Sequence, residues 1–126
     1  MNVPIHLIFI LLSAIVGFIV LLKGALPSYL KFFPLFLICT FIVEVIGWQL
    51  GVRGINNVIY FNFSSIVSII YFLYIIHELL ISSIAKRVII ICAIVYTIVA
   101  LTNIFFIQGM HVFHTMTWSV GSFLII

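Results

Sequence analysis

Long apolar runs separated by short polar connections are the main pattern in this chain. The runs cover residues 5–22, 32–50, 57–77 and 88–107, and a fifth begins near His111. A helix of about 20 apolar residues crosses the roughly 30 Å hydrocarbon core of a bilayer. The pattern therefore predicts an all-α, polytopic transmembrane bundle of five helices, the fifth of which is incomplete at residue 126.

The runs do not have the pattern of membrane-spanning strands. A barrel strand alternates apolar and polar residues over about ten positions, whereas these runs are apolar at both alternating positions. Their length and continuity favour helices despite the many Ile and Val residues. The connections are too short for a soluble domain, so residues 1–126 are predicted to form one membrane-embedded domain.

Composition agrees with a membrane location. Hydrophobic residues make up 67% of the chain and charged residues only 6%, against about 25% charged in a typical soluble domain. The five basic residues lie near helix ends and form no basic run. We therefore expect the lipid bilayer as the partner and no nucleic acid. A homo-oligomer and a second membrane protein both stay open as further partners.

The basic residues also predict an orientation. The first connection and its flanks hold Lys23 and Lys31, and the third connection, residues 81–87, holds Lys86 and Arg87. Only Arg53 lies in a connection on the opposite side. Cytoplasmic loops carry the excess of Lys and Arg, so the N-terminus is predicted to lie outside and these two loops inside.

Glu44 is the most informative polar residue, because it is the only acidic residue within an apolar run. A carboxylate is costly in hydrocarbon unless it is protonated or partnered, so it usually faces a bundle interior or a cavity. At about 1.5 Å per residue, it lies about 9 Å below the outer end of its helix. Other helices carry polar residues near the same depth: Asn62, Asn103, His114 and Thr115.

Helical spacing partly supports a common polar layer. Thr40, Glu44, Gly47 and Gly51 follow a spacing of three to four residues, which places Glu44 on a stripe of small residues. The fifth helix is predicted to carry a polar and aromatic stripe: His111, His114, Thr115, Trp118 and Ser122. These residues are predicted to form a polar core or a ligand-binding site.

Two other interpretations of the same residues stay open. The carboxyl, amide and hydroxyl groups are also suited to ordinary interhelical hydrogen bonds. His111 and His114 give two metal ligands on one face, and Glu44 is a candidate third. No further ligand pair is visible, so the sequence predicts neither a metal nor another cofactor, and it identifies no catalytic residue.

Several segments resemble a family of small bacterial inner-membrane proteins with about seven helices and no assigned activity. The resemblance is carried by four stretches: residues 29–37, 41–48 (with Glu44, Gly47 and Trp48), 57–62 and 103–109. It implies an inner (plasma) membrane location and a recurrent polar core at Glu44, Asn62 and Asn103. It also implies further helices beyond Ile126, so this chain is expected to be the N-terminal part of a longer protein.

These observations favour a non-enzymatic membrane module, either a small-ligand sensor or a transporter-like unit, with its polar layer around Glu44. One alternative is an intramembrane enzyme that uses Glu44 with His111 and His114. Another is a small proton-coupled exporter, because a lone membrane carboxylate in a chain of this size resembles the small multidrug-resistance family. That family carries its carboxylate in the first helix, whereas Glu44 lies in the second.

Overall fold

The computed structural model describes residues 4–24, 26–107, 109, 112 and 115–125, with the side chains of residues 115 and 116 left aside. These residues form an all-α structure with five helices and no strand in the part described. The helices are α1 (Ile5–Leu22), α2 (Phe33–Val52), α3 (Val58–Leu79), α4 (Ser83–Thr102) and α5 (Thr115–Ile125). A short 3-10 helix (Ser28–Leu30) precedes α2, and a π-helical segment (Asn103–Ile107) follows α4.

Four segments are long and apolar enough to cross a membrane, as the sequence predicts. They are Ile5–Leu22, Ser28–Val52, Val58–Leu79 and Ser83–Ile107. Only 11% to 22% of the residues in these spans are buried inside the protein. Most of their apolar surface therefore faces outward, which is the arrangement expected of helices in lipid rather than in water.

The predicted start of the fourth helix is wrong by five residues. Residues 81–87 were expected to be a connection, but α4 begins at Ser83 and includes Lys86 and Arg87. The cause is a serine cap: Ser82 Oγ accepts a hydrogen bond of 3.4 Å from the backbone N–H of Ala85. Such a cap satisfies a backbone donor that the first turn would otherwise leave unpaired.

The end of α4 and the start of α5 also differ from the predicted boundaries. The α-helix changes to a π-helix over Asn103–Ile107, the last residues of the fourth candidate span. Val112 lies in a bend, and α5 begins at Thr115 instead of near residue 111. His111 and His114, predicted to lie on the polar stripe of this helix, lie outside the described residues.

The chain packs as two compact units, Met1–Ile55 and Asn56–Ile126. In the first unit, α1 and α2 form an antiparallel pair that packs tightly where Gly17 meets Pro34. A Cβ atom at Gly17 would lie 3.2 Å from Cγ of Pro34, so glycine lets the proline ring pack directly on the backbone of α1.

The second unit is built from α3, α4, the π-helical segment and α5. Its core consists of six buried residues: Ile66, Ile69, Leu73, Tyr96, Ala100 and Ile104. Gly121 brings α5 close to this core, since a Cβ there would lie 2.8 Å from Cγ1 of Ile69. The packing of α5 against α3 and α4 positions the polar groups described below.

Candidate functional site

In the first unit, the structure pairs Glu44 with His6. Nε2 of His6 lies 3.5 Å from Oε2 of Glu44, and their side chains are 56% and 31% exposed. Glu44 lies eight residues, about 12 Å, before the last residue of α2, and is therefore well inside the apolar segment. His6 is the second residue of α1, so a residue at the helix end reaches a carboxylate inside the neighbouring helix.

The antiparallel register of α1 and α2 explains this pairing. In an antiparallel pair, the residue numbers of facing residues have a constant sum. This sum is 51 for Gly17 and Pro34 and 50 for His6 and Glu44, so both contacts fit one register. His6 and Gly17 are eleven residues apart, which is about three helical turns, so both lie on the face of α1 that meets α2. The close glycine–proline contact thus fixes the register that brings the imidazole to the carboxylate.

The pair has a chemistry that neither group has alone. A protonated imidazole beside a carboxylate makes a neutral pair, whereas a neutral imidazole leaves one negative charge. The contact of 3.5 Å is longer than the usual 2.7–3.2 Å of an N–H···O hydrogen bond, and it is an ion pair only when the imidazole carries a proton.

The alternative of a metal site at Glu44 and the two histidines gains no support from the described residues. Among the described residues, no group of three or more His, Cys, Asp or Glu side chains is placed to hold a metal ion. Glu44 and His6 provide two ligands only. His111 and His114, the other candidate ligands, lie outside the described residues.

In the second unit, both predicted asparagines are buried and form hydrogen bonds between elements. Asn103 Nδ2, at the start of the π-helical segment, donates to Thr117 Oγ1 of α5 at 2.8 Å. Asn62 Nδ2, on α3, donates to the backbone carbonyl of Val112 at 2.9 Å. These bonds hold α5 against the start of the π-helical segment, and Val112 against α3.

A third hydrogen bond joins α3 to α5. Trp118 Nε1 donates to Ser65 Oγ at 2.6 Å, and Ser65 Oγ donates in turn to the carbonyl of Phe61 at 2.7 Å. Trp118 belongs to the predicted stripe of the fifth helix. Thr117 is not part of that predicted stripe, but its hydroxyl is the group that binds Asn103 in the structure. Thr115 is the first residue of α5, and its side chain lies outside the description.

The structure thus separates the predicted residues between the two units. Glu44 lies in the first unit with His6, while Asn62 and Asn103 lie in the second. A single layer that joins Glu44 to the asparagines stays a prediction. His6 is the residue that sequence reasoning missed, although its place in the first turn of α1 and the depth of Glu44 in an antiparallel α2 were signals that the two are close.

A buried tyrosine adds one more polar group to the second unit. Tyr96 is 1% exposed, and its hydroxyl has no hydrogen-bond partner within the described part of the chain. Its ring packs against Gly121, so it lies in the apolar core of this unit. We assign it no binding role.

Comparison with known proteins adds no functional information. No family model, no curated protein and no solved structure matches this chain.

Proposed function

We propose that this chain is a multi-pass integral membrane protein that works as a small-ligand sensor or transporter-like module, with its site at His6 and Glu44. The ligand that this site suits best is a small organic cation in competition with a proton. The observation that carries the proposal is the 3.5 Å contact between an imidazole and the only carboxylate of the first unit.

The energetic argument starts from the cost of the carboxylate. An acidic residue at the centre of a membrane helix costs about 3 kcal/mol on insertion scales, so an apolar residue at this position would give a more stable protein. We infer that the carboxylate is kept for a function. An imidazole can hold or release a proton, so its pair with Glu44 has a neutral form and a negatively charged form. The other charged groups of this unit are Lys23, Lys31 and Arg53.

Those three cations do not neutralise the pair at close range. Arg53 follows the last residue of α2 and lies nine residues, about 13.5 Å along the helix axis, from Glu44. Lys23 and Lys31 lie at the other ends of α1 and α2. When His6 is neutral, Glu44 therefore presents a negative charge to which a cation can bind in place of the proton.

Binding of tetraphenylphosphonium to the full chain in detergent tests this proposal. We expect saturable binding by isothermal titration calorimetry that weakens as the pH is lowered, because a proton on the pair removes its net charge. Glu44→Gln should abolish the binding. His6→Gln should preserve binding but flatten its pH dependence. The matched control is Gln49→Ala, a polar residue of the same helix, which should bind as the unchanged chain does.

Two outcomes would contradict the proposal. One is tetraphenylphosphonium binding that is unaltered in a correctly folded Glu44→Gln variant. The other is the absence of saturable binding at every pH tested. Circular dichroism and size-exclusion chromatography of each variant establish that a loss of binding does not come from misfolding.

We further propose that the protein resides in a bacterial inner membrane with its N-terminus outside. The support is the sequence resemblance to small bacterial multi-pass proteins and the excess of Lys and Arg at one set of helix ends. Membrane fractionation of the producing bacterium tests the location, and recovery in the outer-membrane fraction would refute it.

A further inference from the structure

An apolar groove of about 530 Å³ runs between α3 and α4 in the second unit. Its walls include Ile70 and Tyr74 on α3 and Ile90, Ala93 and Ile94 on α4. The volume lies within the range of about 300–1,000 Å³ that is usual for small-molecule sites. At the end formed by the last residues of α3, the apolar lining gives way to His77 and Glu78.

The groove has the length of one bilayer leaflet. Its α3 wall extends from Ile70 to Glu78, eight residues or about 12 Å, and its α4 wall from Ile89 to Ile98, about 13.5 Å. Half of the roughly 30 Å hydrocarbon core is about 15 Å. A transmembrane helix of another subunit would need an apolar face along the whole core, whereas the acyl chain of a lipid occupies one leaflet. The dimensions favour an acyl chain.

The polar end of the groove carries charges of both signs. His77 Nδ1 lies 3.0 Å from Glu78 Oε1, and the side chain of Glu78 is 35% exposed. Lys86 is not part of the groove wall, but it lies one turn before Ile90 on α4. Residues 86, 90, 93 and 97 follow a spacing of three to four residues, which places Lys86 on the same face of α4, just beyond the end of the groove. Lys86 forms no ion pair with any residue in the described part of the chain.

We propose that this groove binds a zwitterionic aminophospholipid, phosphatidylethanolamine. One acyl chain lies along the apolar walls, the ammonium group meets the Glu78 carboxylate, and the phosphate meets the Lys86 ammonium. A carboxylate accepts several hydrogen bonds, so Glu78 can accept one from the lipid as well as one from His77.

The mixed charge distinguishes this lipid from the other common classes. A choline headgroup is cationic but has no N–H to donate to Glu78, so it forms no charge-assisted hydrogen bond there. An anionic phosphatidylglycerol headgroup meets Lys86 but brings no cation to Glu78, which then repels it. The ethanolamine headgroup alone among these three satisfies both side chains.

Native mass spectrometry of the full chain, with the three lipids added separately at equal concentration, tests the proposal. We expect phosphatidylethanolamine to bind at least about tenfold more tightly than phosphatidylcholine or phosphatidylglycerol. Glu78→Gln should remove the preference over phosphatidylcholine, because the ammonium loses its charged acceptor. Lys86→Gln should weaken the binding of all three lipids, because each contains a phosphate. Lys31→Gln, the matched basic control, should leave all three affinities unchanged.

A groove-filling variant separates the acyl-chain site from headgroup attraction alone. Ala93→Phe places a ring in the groove and should abolish tight binding while Glu78 and Lys86 stay in place. Equal affinities for the three lipids would overturn the proposal, as would a preference that survives Glu78→Gln. Efficient disulfide dimerisation of an Ile94→Cys variant, in a Cys39→Ala/Cys92→Ala background in phosphatidylethanolamine bilayers, would also overturn it, since a second copy would then occupy the groove.

Discussion

The side-chain amide of Asn103 donates a 2.8 Å hydrogen bond to the hydroxyl of Thr117, and both residues are at least 95% buried. Asn103 begins the π-helical segment, where the backbone pattern departs from the regular α-helix. The bond therefore links the irregular end of α4 to α5. Both groups are removed from lipid and from water, so each is satisfied by a partner inside the protein.

Removing this bond should lower the free energy of unfolding by a modest amount. Interhelical hydrogen bonds in membranes average about 0.6 kcal/mol by double-mutant cycles and reach about 1.7 kcal/mol. We expect a coupling within this range between Asn103→Ala and Thr117→Val, measured by reversible unfolding in bicelles. Strictly additive effects of the two variants would show that the bond contributes nothing. Asn103→Ala alone should cost more than Thr117→Val, because Asn103 makes further interactions.

Gly121 should tolerate no side chain without a loss of packing. A Cβ there would lie 2.8 Å from Cγ1 of Ile69 and 3.0 Å from Cε2 of Tyr96. Overpacking of this kind costs about 1–3 kcal/mol, which exceeds the gain of up to about 1 kcal/mol from replacing glycine in a helix by alanine. Gly121→Ala should therefore lower the unfolding free energy, and Ser122→Ala, its neighbour on the same helix, should be nearly neutral.

A double variant checks the cause of that loss. Ile69→Ala alone leaves a cavity in the core, whereas Ile69→Ala with Gly121→Ala provides space for the new methyl group. The combined loss of unfolding free energy should be smaller than the sum of the two single losses. A combined loss equal to or larger than the sum would rule out the steric explanation.

The helix positions were largely predictable from the sequence, because they depend on local patterns. Apolar length alone located all four candidate spans, and the 5–22 prediction coincides with α1. The start of α4 was missed because Lys86 and Arg87 were assigned to a connection. Long basic side chains at a helix end extend toward the membrane surface, so charge does not mark the end of a helix. The local signal that decides the boundary is Ser82.

The candidate site was less predictable, because it depends on how helices pair. Depth along each helix singled out Glu44, Asn62 and Asn103, but it does not say which helix faces which. The contact between His6 and Glu44 follows from the register of α1 and α2, which depends on the close approach of Gly17 to Pro34. Hydropathy contains no information about that approach. Small residues indicate only that one is sterically allowed.

Changes at Gly17 should therefore act on the His6–Glu44 pair at a distance of about three helical turns. Gly17→Ala places a Cβ 3.2 Å from Cγ of Pro34, a milder conflict than at Gly121, and should cost less unfolding free energy than Gly121→Ala. Gly17→Leu should separate α1 from α2 and weaken tetraphenylphosphonium binding although residue 17 is far from the pair. Normal binding by a Gly17→Leu variant would show that the helix register does not control the site.

The orientation of α2 gives the last prediction. Ser28 and Ile55 flank the two ends of this helix, whose 20 residues span about 30 Å, so they should lie on opposite sides of the membrane. Ile55 is a better labelling position than Gly54, whose φ of +71° strains any other residue and whose N–H bonds to the carbonyl of Gly51 at the end of α2.

In a background of Cys39→Ala and Cys92→Ala, an impermeant maleimide should label Ile55→Cys in intact cells. It should label Ser28→Cys only after the membrane is opened, because the basic residues Lys23 and Lys31 place that connection inside. Labelling of Ser28→Cys in intact cells would reverse the orientation, and it would place the His6–Glu44 pair toward the cytoplasm.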